Sequence, residues 1–321
     1  MAHKLVTIAV IGLAASAVCM GAAAAIGGRD FGSNFDDGFV GLFDSREHCQ
    51  ALTDSTATSR DFDWDGDHVT LAVRGQASYT PGTNDKLHAS GDPQVLAHLR
   101  VRDGKIEMDC RGWGDRTSDL TMILPGREFR KFTIAGGGKL ALDKLNQSSA
   151  EIHIAGSGKI SANGRIDDLK TKISGSGDAD LDRLTVREAE MKIAGSGNIR
   201  ANGKIDSLDV DIAGSGHVDI GQVEAQKASV DIHGSGTVKA KGKIDDVKID
   251  IAGSGNADFG DMQTRSAQVE IHGQGDVHIA PNEQAKIEIS GSGDVYLHSN
   301  PKTLDTEMHG SGRIHKIGPA G

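Results

Sequence analysis

The chain has 321 residues with a formal net charge of -10, 43 glycines and only 4% aromatic residues. Its Lys and Arg residues are scattered singly, which argues against nucleic acid as a partner. So few rings argue against a globular core built on large side chains, and the Ile- and Val-rich segments point to a narrow core of stacked aliphatic residues.

Residues 1–25 read as a signal peptide. Lys4 supplies a positive start, residues 5–18 an apolar stretch, and Ala22 to Ala25 small residues that suit a cleavage site. The expectation is an exported protein, located in the periplasm, on the outer-membrane surface or outside the cell. A membrane anchor extended through the alanines to Ile26 is the alternative. Lipoprotein processing at Cys19 fits poorly because Val18, not a small residue, precedes it. Cleavage after Ala24 or Ala25 would leave Cys49 and Cys110, an even pair that in an oxidising compartment points to one disulfide. Two free thiols are the alternative.

Residues 26–60, rich in Gly, Asp and Ser, read as a linker or leader. From 61 to 130, alternating strand patterns occupy 68–73, 95–101, 105–110 and 119–124, with turns at 81–84, Asp103-Gly104 and Pro125-Gly126. Asp103-Gly104 between two alternating runs is a hairpin signal. This section is expected to be a β-strand cap over the open N-terminal edge of a repeat region that begins near residue 131.

Residues 131–317 carry a Gly-x-Gly triplet ten times, starting at Gly136, Gly156, Gly175, Gly195, Gly214, Gly234, Gly253, Gly273, Gly291 and Gly310. Such a period marks one supersecondary unit stacked on itself. Around a triplet, Val230, Ile232, Val238 and Ala240 share one parity and Asp231, His233, Thr237 and Lys239 the other. Period two means strand, with the apolar set facing inward. By that parity both glycines of each triplet face inward: Gly156 and Gly158, Gly175 and Gly177, Gly195 and Gly197, Gly214 and Gly216, Gly234 and Gly236, Gly253 and Gly255, Gly291 and Gly293. Removing two neighbouring Cβ atoms there would permit a bend or bulge. The middle residue faces outward, so Ser157, Ser176, Ser196, Ser215, Ser235, Ser254, Ser292 and Ser311 would form an external ladder of hydroxyls able to give and accept hydrogen bonds.

Between triplets two segment types alternate. Asn163-Gly164, Asn202-Gly203 and Lys241-Gly242 mark tight turns in one of them. The fold expected is all-β, a parallel β-helix of 19–20 residues per rung; a 39-residue turn is the alternative. Residues 318–321 are a short tail, and the last rung leaves an edge open to pairing with another chain.

Chemistry is sparse along the repeats. Asp178 with Asp180, Asp219, Asp258, Asp276 and Asp294 follow triplets evenly, which suits a solvated face better than a catalytic pair. His233 and His272 precede triplets 39 residues apart, two rungs in a 19–20-residue helix and too far to share zinc. No calcium nonapeptide, phosphate loop, dinucleotide fingerprint or Ser-His-Asp motif is evident, so no catalytic residue, metal or cofactor is expected.

The strand Val69-Thr70-Leu71-Ala72-Val73-Arg74-Gly75, the hairpin Val101-Arg102-Asp103-Gly104-Lys105-Ile106, the strand Leu120-Thr121-Met122-Ile123-Leu124-Pro125 and the repeated Ile-x-Gly-Ser-Gly units together resemble the DUF2807 family, the putative autotransporter adhesin head GIN domain. The resemblance covers roughly residues 62–317 and implies a β-helical, envelope-associated or surface protein with no family catalytic residues to carry over. Nothing after Gly312 could build the outer-membrane barrel of an autotransporter. The function expected is a non-enzymatic binding, adhesin-like or scaffold protein whose partner is a glycan or an envelope protein. A polysaccharide lyase or hydrolase on a β-helix is the alternative.

Overall fold

The computed structural model describes residues 47–52 and 55–318. The signal peptide, Cys19, most of the leader and residues 319–321 lie outside the described residues.

The elements in chain order are β1 (Ser59–Asp63), β2 (Val69–Leu71), β3 (Gln76–Tyr79), β4 (Lys86–Ser90), α1 (Pro93–His98), β5 (Leu99–Arg102), β6 (Lys105–Met108) and β7 (Thr121–Ile123). The repeats comprise β8 (Lys131–Gly136), β9 (Lys139–Gly156), β10 (Lys159–Gly175), β11 (Asp178–Gly195), β12 (Asn198–Lys204), β13 (Ser207–Gly214) and β14 (His217–Gly234). They continue with β15 (Thr237–Gly253), β16 (Asn256–Gly273), β17 (Val277–Gly291), β18 (Val295–Leu297), β19 (Thr303–Gly310) and β20 (Ile314–Lys316).

Parallel pairing decides the length of one turn. Gly156 pairs with Gly175, Gly175 with Gly195, Gly195 with Gly214 and Gly214 with Gly234, one triplet directly over the next. The turn is therefore a single 19–20-residue coil, and the 39-residue alternative is excluded. The fold is the expected parallel β-solenoid.

Because the stacking is in register, each inward position becomes a file of like residues. Ile134, Ile154, Ile173, Ile193, Ile212, Ile232, Ile251, Ile271 and Ile289 form one such file, each at most 1% exposed. Each such buried side chain contributes about 1.5–3 kcal/mol, and its branched Cβ suits the pleated surface. This file supplies the reason for the third glycine of a triplet. A Cβ on Gly216 would lie 2.6 Å from Cγ2 of Ile193 in the coil before.

The first glycine of the triplet corrects the parity reading. It is not buried; Gly234 is half-buried and Gly156 exposed, whereas Gly236 and Gly158 are buried. The first glycines have φ between +122° and +146°, and that rotation breaks the alternation at the corner. The serine after it stays outward, and its N–H donates to the first glycine's carbonyl one coil back, as from Ser235 to Gly214 at 2.8 Å. All eight ladder serines are exposed. Their cross-coil hydrogen bonds run through the backbone, and among the described residues no hydroxyl–hydroxyl bond links them, contrary to expectation.

The Asn-Gly and Lys-Gly steps also differ from the expected tight turns. β10 and β15 run unbroken through Gly164 and Gly242, whose φ values are +121° and +112°. Pairing shifts by a residue beside these glycines, so the chain rounds this corner by a bulge.

In the N-terminal section the coil stack continues. β2 pairs in parallel with β8, and β3 with β9, so 69–79 lies directly below the first triplet coil. β6 and β7 add one further parallel layer, and β4 and β1 turn antiparallel beyond it. The Asp103-Gly104 hairpin is present, with Arg102 opposite Lys105 and φ of +47° and +69° at the two turn residues. Residues 95–98 are helical rather than extended. Asp92 caps α1 by accepting from the Gln94 N–H at 2.8 Å, and Pro93 occupies its first turn. Trp64, Tyr79, Phe129 and Phe132 pack edge-on or tilted within 5.3–6.3 Å of one another and fill the core at this end. Cys49 and Cys110 are joined by a disulfide.

At the other end, among the described residues, the last coil is left partly exposed. Met308 continues the isoleucine file over Ile289 yet is 44% exposed.

Candidate functional site

Register does to the outward residues what it does to the core. The position three residues before each triplet reads Thr133, His153, Lys172, Lys192, Asp211, Asp231, Asp250, Glu270, Glu288 and Glu307, each the pairing partner of the next. At about 4.8 Å per coil, the six carboxylates from Asp211 to Glu307 form a file roughly 24 Å long. Two unit charges about 5 Å apart repel by about 1 kcal/mol in water. The neighbouring file, Glu151, Lys170, Glu190, Asp209, Ser229, Lys248, Gln268, Lys286 and Asp305, largely avoids this by mixing signs.

The two files are tied together. Glu190 takes Lys192 across to the other file at 2.9 Å and Lys170 along its own at 3.1 Å, while across the files Asp250 takes Lys248 at 2.5 Å and Gln268 donates to Glu270 at 2.8 Å. Burial pushes the Glu190 carboxyl up, but the hydrogen bonds from Lys192 and Lys170 outweigh it and hold it below the usual range. Asp231 goes the other way. Partial burial raises it first, and repulsion from Asp250 and a hydrogen bond with that carboxyl add to the effect. Asp209 is raised too, by burial, with Lys192 opposing.

The acids singled out by their place after triplets are not gathered into a pocket. Asp178 accepts from the Asn198 amide at 2.8 Å, Asp276 from the Asp294 N–H at 3.1 Å, and Asp294 from the Arg313 N–H at 2.8 Å, so these side chains stitch successive coils. His233 pairs with Ala252 and Ala252 with His272, which places the two histidines two coils apart. Hollows of 510 Å³ and 630 Å³ lie in the N-terminal part, with Arg60 and Arg74 as their respective charged lining residues, and neither brings a carboxylate to a base. His98, Asp109 and Cys110 converge, but Cys110 is in the disulfide and both His98 nitrogens are engaged, by Asp109 at 2.8 Å and the Gln50 carbonyl at 2.9 Å.

Two groupings escaped the sequence reading. The carboxylate file is one: its signal was the unbroken acid run at triplet minus three. The other is a cluster of rings on the last coils. His278 stacks on Tyr296 at 4.4 Å, Tyr296 on His315 at 4.8 Å, and His278 Nδ1 lies 3.0 Å from His298 Nε2.

These features define a parallel β-solenoid that displays its side chains in continuous files on a rigid wall. The chain belongs to the DUF2807 family, described as "Putative auto-transporter adhesin, head GIN domain", whose model matches residues 67–220 and 201–301. Among solved structures it is similar to a putative lipid binding protein from Parabacteroides distasonis ATCC 8503, with 19% identity, TM-score 0.45, and 81% of this chain and 96% of that one covered. A putative adhesin from the same organism gives 15% identity, TM-score 0.46 and coverage of 82% and 98%. A putative adhesin from Bacteroides fragilis NCTC 9343 gives 15%, 0.37, and 81% and 96%. No curated protein matches the chain.

Proposed function

We propose that the protein is an exported, non-enzymatic, adhesin-like binding or scaffold protein of the cell envelope or surface. The family and the disulfide support this, since disulfides persist in oxidising compartments. The observation that carries the binding role is the carboxylate file, six acids held in line by the backbone at the expense of their own repulsion. Such a ridge suits a partner with spaced cationic groups, which favours a basic envelope protein over an acidic glycan.

The test uses the mature protein in a pull-down from envelope extract and on a glycan array, beside a variant with Asp211, Asp231 and Asp250 changed to Asn and Glu270 to Gln. A protein retained at low salt and released at roughly 0.5 M, where screening acts within a few ångströms, and lost in the variant is the expected result. No retained partner under any condition overturns the reading.

The alternative is a polysaccharide lyase or hydrolase on the β-helix, and turnover on a panel of acidic polysaccharides would replace the binding role. The partly exposed Met308 favours end-to-end pairing of two copies through β19, which a monomer at high concentration in light scattering would overturn.

A further inference from the structure

On the last coils two imidazole nitrogens come within hydrogen-bond distance of each other, so in the metal-free chain they share one proton that a metal ion would replace. His278 Nδ1 and His298 Nε2 are 3.0 Å apart. Both rings are held in place. His278 is clamped face-on by Tyr296, with ring planes 13° apart. His298 lies over Gly260, where a Cβ would come within 2.9 Å of its Nε2, so glycine at this wall position leaves the notch in which the ring sits. Gly260 has no left-handed backbone to explain its identity.

We propose that His278 and His298 form a two-nitrogen chelate for a divalent transition-metal ion of the Cu(II) or Ni(II) type. Metal–imidazole bonds of roughly 2.0–2.1 Å closing on nitrogens 3.0 Å apart subtend about 95° at the metal. That is close to the right angle of a tetragonal site and narrower than a tetrahedral one, the preference that separates Cu(II) and Ni(II) from zinc. Copper stands highest in the affinity order for nitrogen donors. Asp258, the pairing partner of His278 on the preceding coil, borders the notch, where its Oδ1 accepts from the Gly260 N–H at 3.4 Å, but it does not converge with the two nitrogens. Water completes the coordination. Tyr296 stacks against both His278 and His315 and separates the two, so His315 and its partner Asp294 take no part.

The experiment titrates the full chain with copper sulfate in a non-coordinating buffer, followed by visible absorption and electron paramagnetic resonance. All variants carry His3→Ala, because a free N-terminal Met-Ala-His stretch chelates Cu(II) by itself. One Cu(II) per chain with nitrogen hyperfine structure is expected. His278→Gln and His298→Gln should each weaken binding at least tenfold, and Gly260→Ala should weaken it while removing no donor. His233→Gln and His272→Gln should leave it unchanged. Thermal unfolding without metal shows that each variant is folded. Absence of stoichiometric binding at micromolar copper, or binding indifferent to both histidine variants, overturns the proposal.

Discussion

Gly136 and Gly234 occupy the same place in their triplets and have nearly the same φ, +122° and +124°, yet their surroundings differ. A Cβ on Gly234 would lie 2.5 Å from the Gly214 carbonyl oxygen, whereas one on Gly136 would meet nothing within 4 Å. Alanine at either site incurs backbone strain of about 1–3 kcal/mol. At Gly234 it must also displace the carbonyl that accepts from Ser235, adding about 1 kcal/mol for the hydrogen bond and more for the backbone shift. Gly136→Ala should therefore cost about 1–3 kcal/mol and Gly234→Ala about 3–5, the latter lowering Tm by roughly 10 °C for a chain of this size. Denaturant unfolding followed by circular dichroism gives the totals, and hydrogen exchange at the Ser235 amide reports the local loss. Equal costs would refute the idea that close stacking of corner on corner, beyond φ alone, demands glycine. Two neutral substitutions would refute both parts.

Thr171 is 2% exposed, and its hydroxyl has no hydrogen-bond partner among the described residues; Thr171→Val should stabilise by about 1 kcal/mol, seen as a higher Tm. Breaking the Cys49–Cys110 bond, which spans 61 residues, should remove about 4 kcal/mol by the chain-entropy relation, measured on the Cys49→Ala, Cys110→Ala pair against the oxidised protein. Because the folded-state pKa of Asp231 is raised, the folded chain binds its proton more readily than the unfolded one, and stability falls as pH rises from the ordinary Asp value through the raised one. Asp231→Asn should thus raise Tm at pH 7, with the gain vanishing below about pH 4, where the unfolded carboxyl is protonated too. A gain independent of pH would refute the assignment.

Much of this architecture was legible because the solenoid repeats its errors as faithfully as its pattern. The parity of 230–240 placed Val230, Ile232, Val238 and Ala240 inside, and all are at most 2% exposed. The same parity failed at Gly234, because alternation assumes extended backbone with negative φ, and one left-handed residue turns the chain's facing without leaving a mark in hydrophobicity. At 95–101, Val95, Leu99 and Val101 alternate well enough to suggest strand, while the better signal, Asp92 as cap with Pro93 behind it, lay just upstream. The His278–His298 approach was out of reach of one-dimensional reading. It depends on an 18-residue offset between these coils, which sets Tyr296 on His278 and brings His298 two residues further on, and on the notch at Gly260.

The file that runs from Thr133 to Glu307 is also a vector. After Thr133 its members His153, Lys172 and Lys192 are bases, and from Asp211 onward every member is an acid, so the wall carries an electrical polarity along the solenoid axis. A charged partner settling on it meets a gradient, and the torque of that gradient selects one of the two ways of lying along the rod. The stacking that builds the core thereby also gives the bound partner a heading.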